Sequence, residues 1–163
     1  EMLLARRRAL ANAEDTAPRF VAAVAYDGTA FAGWQTQPNG KGIQDVLELR
    51  LAALIGCVTP IAGAGRTDAG VHARAQVFNF QLDPMPPSSA QRSVLAPLRT
   101  CAGSSVGEIA QRLQQCLCGK PENCGLPQDI QVLTVQPAPV GFNSRERCCA
   151  KRYVYTVQEG VGD

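Results

Sequence analysis

Gly63-Ala64-Gly65-Arg66-Thr67-Asp68-Ala69-Gly70-Val71-His72-Ala73 sets one arginine, one carboxylate and the chain's only histidine among three glycines. Apolar segments flank it on both sides. Ile55 to Ile61 is largely apolar and ends in Thr59-Pro60, and Ala75-Gln76-Val77-Phe78-Asn79-Phe80 is rich in β-formers and bounded by Asp83-Pro84. This arrangement predicts two strands with Asp68 at their mouth. Glycine tolerates positive φ and lets another molecule come close to the backbone, as a binding loop requires. Glycine and aspartate also dominate ordinary turns for conformational reasons, so composition leaves both a site and a plain connector open.

Working outward, Phe20 to Tyr26 is almost continuously apolar and reads as a strand that ends in an Asp27-Gly28 turn. Phe31 and Trp34 follow, with the apolar surface to anchor a loop onto a core. Gly42 to Ile55 is the clearest helix. Ile43, Val46, Leu47, Leu51, Leu54 and Ile55 recur at spacings of three and four, Gln44, Asp45, Glu48 and Arg50 take the other face, and Gly56 ends the run. Beyond the Asp68 loop and its second strand, Pro84, Pro86, Pro87, Ser88 and Ser89 break regular structure. A second helix is predicted over Val106 to Leu117, with Ile109, Ala110, Leu113 and Leu117 inward and Gly119-Lys120-Pro121 as its stop. Ile130 to Val135 reads as a strand, with Ile130 and Val132 on one face, Leu133 and Val135 on the other, and Pro137 and Pro139 closing it. Tyr153 to Val157 reads as a last strand, placing Tyr153 and Tyr155 together and Val154 and Thr156 opposite. Strand, helix, strand, strand, helix, strand predicts an α+β fold, an antiparallel sheet with helices on one face.

With 163 residues, 45% hydrophobic and 18% charged, the chain is expected to form one globular domain rather than a disordered one. It divides into a tail over 1–18 and a domain over 19–160 with a variable insertion around 84–125. No apolar run reaches membrane-spanning length and no apolar stretch follows Arg6-Arg7-Arg8, which predicts a soluble intracellular protein without fixing the compartment. Cysteines 57, 101, 116, 118, 124, 148 and 149 are odd in number and partly adjacent, which suits a reducing compartment. Cys116, Cys118 and Cys124 lack a C-x-x-C pair and a fourth ligand, so no metal is expected. The net charge of +2 does not by itself argue nucleic-acid binding, yet Arg145, Arg147, Lys151 and Arg152 face only Glu146 within ten residues, a cluster able to neutralise phosphates. A cysteine hydrolase using His72 is disfavoured, because no local Cys-His signature is present.

Gly65-Arg66-Thr67-Asp68-Ala69-Gly70-Val71-His72-Ala73 resembles the active-site signature of the TruA family of tRNA pseudouridine synthases. Tyr26-Asp27-Gly28-Thr29 with Phe31-Ala32-Gly33-Trp34-Gln35 is similar to that family's first-strand motif, and Lys151-Arg152-Tyr153-Val154-Tyr155 looks like its tyrosine strand. Phe142-Asn143-Ser144-Arg145 departs from the family pattern at Asn143 and Ser144. The resemblance implies the ferredoxin-like N-terminal half of a two-half synthase, with the C-terminal half outside this chain. It implies isomerisation of uridine to pseudouridine in or near the anticodon stem-loop, without cofactor or metal, and with Asp68 as nucleophile. Aspartates, with an ordinary pKa of about 3.9, are carboxylates at neutral pH and can form covalent adducts. Arg66 would hold the flipped nucleotide, Tyr153 would stack on the uracil, and Arg66, Arg145, Arg147, Lys151 and Arg152 would bind RNA, while His72 would be structural. A tRNA partner and a homodimer are implied. The competing reading is a catalytically silent RNA-binding or structural module of a larger ribonucleoprotein.

Overall fold

The computed structural model describes residues 17–82, 105–119 and 125–157. Almost all of the expected tail and the proline-rich start of the insertion lie outside these residues. Strand β1 (Arg19–Tyr26) sits inside a sheet ordered β2-β3-β1-β4, with β2 (Ile61–Gly63), β3 (Ala73–Gln81) and β4 (Ile130–Ala138) all in antiparallel pairs. The central position explains the near-continuous apolar character of β1. Phe20, Ala22, Val24 and Tyr26 are buried on one face, and the alternate residues are partly covered on the other. The buried face carries both helices, α1 (Ile43–Ile55) and α2 (Val106–Leu117), which contribute Ile43, Leu47, Leu51 and Leu54, and Ala110, Leu113 and Leu117, to a single core with Phe78, Phe80, Ile130, Val132 and Val135. Phe20 and Phe80 stack at 5.4 Å between ring centroids. Burying side chains of this size contributes roughly 1.5–3 kcal/mol each. The α+β sheet with its helices on one face is the architecture read from the sequence.

Both helices are punctuated as their caps dictate. Gly42 precedes α1 and its N–H reaches the Asp45 carboxylate at 3.0 Å, while Gly56 closes it at φ +80° with its N–H on the Ala52 carbonyl. Ser105 caps α2, and its N–H and hydroxyl meet the Glu108 carboxylate at 2.7 and 3.1 Å. This array of donors holds the Glu108 carboxyl below the usual carboxylate range.

Four expectations are corrected. Gln44 and Glu48, assigned to the outer face of α1, are buried. The Gln44 amide donates to Glu48 at 2.8 Å and to the Ile61 carbonyl at 3.1 Å, and Glu48 accepts the Ile61 N–H at 3.0 Å, so two polar side chains cap the backbone of a short edge strand. Leu133 and Val135 do not share a face. The β1 register passes from Thr134 to Val132, which leaves Leu133 as a bulge, so that Val135 is buried beside Val132 while Leu133 is 40% exposed. The strand also continues through Pro137, which an edge strand tolerates. Finally, residues 151–157 form no strand and are exposed. Alternation describes a strand's faces, but a strand exists only when its backbone has a ladder partner, and none of the four described strands pairs with this segment. Among the described residues no helix is long and apolar enough to cross a membrane.

Candidate active site

The β2–β3 connection, residues 64–72, is fastened at several points and leaves one carboxylate loose. At its base the Ala64 N–H reaches the Val77 carbonyl at 2.8 Å, and the Gln76 amide donates to the Gly65 carbonyl at 2.7 Å. In its middle the Thr67 carbonyl accepts from the Trp34 N–H at 2.9 Å, and the Thr67 hydroxyl bonds the Tyr26 phenol at 2.8 Å. After Asp68, the Gly70 N–H reaches the Phe31 carbonyl at 3.3 Å and the Val71 N–H turns back to the Asp68 carbonyl at 3.2 Å. Asp68 is therefore pinned on both sides. Its own carboxylate is exposed and takes no hydrogen bond among the described residues.

Two glycines of the turn after β1 make this docking possible. Gly33 has φ +91°, and a Cβ there would lie 2.6 Å from the Thr67 carbonyl oxygen. A Cβ on Gly28 would meet the Val71 carbonyl oxygen at 2.1 Å. The two backbones touch only because neither position carries a side chain. Burial pushes the Tyr26 phenol up, with its bond to Thr67 working against that shift, so the phenol stays neutral under the loop.

His72 was read as structural, and it ties the end of the loop to the same turn. Its Nδ1 lies 3.0 Å from Asp27 Oδ1 and 3.3 Å from the Gly28 N–H. A carboxylate at that distance requires the proton on Nδ1, so the Gly28 N–H cannot be accepted at the same time. Asp27 also accepts the Thr29 N–H at 2.9 Å. Its carboxyl is held below the usual range, first by Thr29 and then by His72. Both partners are more than half exposed, so the pair positions the loop more than it stabilises the fold.

Arg66 projects from the same loop into solvent and borders a cleft of about 210 Å³ lined also by Trp34, Gln35, Gln44, Asn143 and Arg145. Trp34 serves two ends. It packs with Tyr26 and Phe78, each at 6.2 Å between centroids, and forms part of the cleft wall. Ser144 holds Arg145 in place, because its N–H reaches the Asn79 side chain at 2.8 Å and its hydroxyl donates to the Ala62 carbonyl at 2.9 Å. Lys151 lies across Gly65, where a Cβ would stand 3.1 Å from its Nζ.

The fold thus gathers Arg66, Asp68, Arg145 and Lys151 around one loop. Arg147, Arg152 and Tyr153 stay in the exposed segment, and Tyr153 is 67% exposed. Asp27, Thr67 and Ser144 carry geometry that the sequence reading did not assign them. The glycines at 28 and 33 were the available signal for the first two. Among the described residues no three His, Cys, Asp or Glu side chains are grouped to hold a metal, and Cys124 of the considered cysteine set lies outside them.

The sequence profile of a family described as tRNA pseudouridine synthase matches residues 22–116. A tRNA pseudouridine synthase A of Citrifermentans bemidjiense is 40% identical over 134 residues, 82% of this chain and 43% of that protein. The proteins of the same name from Geobacter sulfurreducens and Chlamydia felis are 39% and 35% identical over 83% and 85% of this chain. The chain spans less than half the length of these relatives, 43% of the Chlamydia felis protein and 44% of the Geobacter sulfurreducens one. Its matched segment includes the glycine-bounded loop and the turn that docks on it, and the chain belongs to the TruA family of tRNA pseudouridine synthases.

Proposed function

We propose that the chain forms the catalytic-aspartate half of a tRNA pseudouridine synthase acting in or near the anticodon stem-loop, with Asp68 as nucleophile. The observation that carries this reading is the unbonded Asp68 carboxylate on a loop anchored on both sides. A carboxylate nucleophile needs a free oxygen and a fixed approach, and Asp68 combines the two.

In the isomerisation the C1′–N1 bond of uridine breaks, the base turns, a C1′–C5 bond forms, the proton on C5 leaves and N1 takes up a proton, so that the product is an isomer. A base inside a stem must first be flipped out, at a cost of a few kcal/mol. Arg66, two residues from Asp68, is suited to hold the extruded nucleotide's phosphate. Tyr153 supplies a stacking face worth ~1–3 kcal/mol, and Arg147, Lys151 and Arg152 extend the phosphate contacts. The test is tritium release from tRNA carrying 5-tritiated uridine, by this chain and by a chain extended to the relatives' full length. Release by the longer chain supports the proposal, and silence from both across a mixed tRNA pool refutes it.

One observation favours a second reading. Residues 151–157, which hold Tyr153, pair with no described strand, so this chain by itself is suited to binding RNA without turnover.

A further inference from the structure

We infer that the cleft beside β2 is a seat for one phosphate group of the bound RNA, gripped by Arg66 and Arg145, with Asp68 outside its lining. The inference rests on the function proposed above. Arg66 and Arg145 enter the same cleft from different parts of the chain, and neither guanidinium forms an ion pair among the described residues. Both side chains are exposed at its border, so two guanidiniums can reach one anion seated there.

The walls are built before any ligand arrives. Gln44 is buried and held by Glu48 and by the Ile61 carbonyl, and it also accepts the Thr36 N–H at 3.3 Å. Ser144 fixes the start of the turn that presents Arg145. A Cβ on Gly63 would stand 2.6 Å from the Trp34 indole nitrogen, so ring and strand are in close contact. Glu146 is the neighbouring exposed carboxylate, and the Asn143 amide engages it at 2.9 Å. With the walls already held, ordering on binding falls mainly on the two exposed arginine side chains. Its size selects the occupant. At about 210 Å³ the cleft falls below the ~300–1,000 Å³ of sites that enclose a drug-sized ligand, so it suits a phosphate group rather than a whole nucleotide.

Trp34 is the chain's one tryptophan, so its fluorescence reports on the cleft. Inorganic phosphate at constant ionic strength, and tRNA separately, are titrated into wild type, Arg145→Lys and Arg112→Lys. Lysine keeps the charge but loses the planar fork that grips two oxygens at once. The expected result is a saturable phosphate response in wild type that is lost in Arg145→Lys. Binding of tRNA should be about tenfold weaker in Arg145→Lys and within twofold of wild type in Arg112→Lys, whose exposed arginine lies on α2. Arg145→Ala should reduce the slope of log K against log salt by about 0.7–0.9. Equal tRNA affinities for wild type and Arg145→Lys, or equal losses for both lysine variants, would overturn the seat and leave a diffuse basic surface. A phosphate response without tRNA binding would overturn RNA as the occupant, along with the proposed function. Unchanged tritium release by full-length Arg145→Lys with unchanged tRNA affinity would remove the seat alone.

Discussion

At the scale of single residues, the loop separates fastened groups from the proposed nucleophile. Thr67, Gly70 and His72 hold, and Asp68 is left free. Asp68→Asn keeps the shape but removes the nucleophile. In the full-length protein it should abolish tritium release while tRNA affinity, measured by filter binding, stays within a few fold. Turnover near wild type in that variant would remove Asp68 from the mechanism. Gly33→Ala puts a methyl against the Thr67 carbonyl at a positive φ, so it should cost about 1–3 kcal/mol or more in urea denaturation. The close packing around the Asp68 loop was legible in the sequence because glycines mark close backbone approach whatever its purpose. The Asp27–His72 tie was not, since the two residues are far apart in sequence and only the fold joins them, as it does Gly28 and His72, 44 positions apart.

At the scale of elements, α1 and α2 were readable because apolar spacing and caps are local properties of the chain. The Gln44–Glu48 pair was not, because residue type points polar side chains outward and only the position of β2 explains their burial. Glu48→Leu should leave the buried Ile61 N–H without an acceptor, at a cost of about 1–3 kcal/mol in a denaturant titration. The Leu133 bulge was hidden for a similar reason, as an inserted residue shows only against a paired strand. The α2 cap gives a pH test. The folded-state pKa of Glu108 lies below its unfolded value, so its contribution is present above the unfolded pKa and is lost as pH falls through the folded one. Glu108→Gln should therefore be less stable than wild type at neutral pH, and the difference should close in acid. A gap independent of pH would contradict the assignment.

Across the whole molecule, the sheet and its two helices make one core, and the site lies at the end where the loop and the β1 turn meet. The alternating tyrosines of residues 151–157 read as a strand, and the described sheet gives them no partner. If the remaining length of the relatives supplies that partner, amide hydrogens of Val154 and Tyr155 should exchange fast in this chain and slowly in the full-length protein. Equal exchange in both would deny these residues a place in the completed sheet.

The fastenings on either side of Asp68 run from main chain to main chain: Trp34 N–H to the Thr67 carbonyl, and Gly70 N–H to the Phe31 carbonyl. Every amino acid but proline supplies such groups, so these contacts survive drift in the side chains that carry them. The geometry that aims the carboxylate is therefore inherited through the absence of side chains at positions 28 and 33. A saturation library selected for folding should leave glycine alone at those two positions.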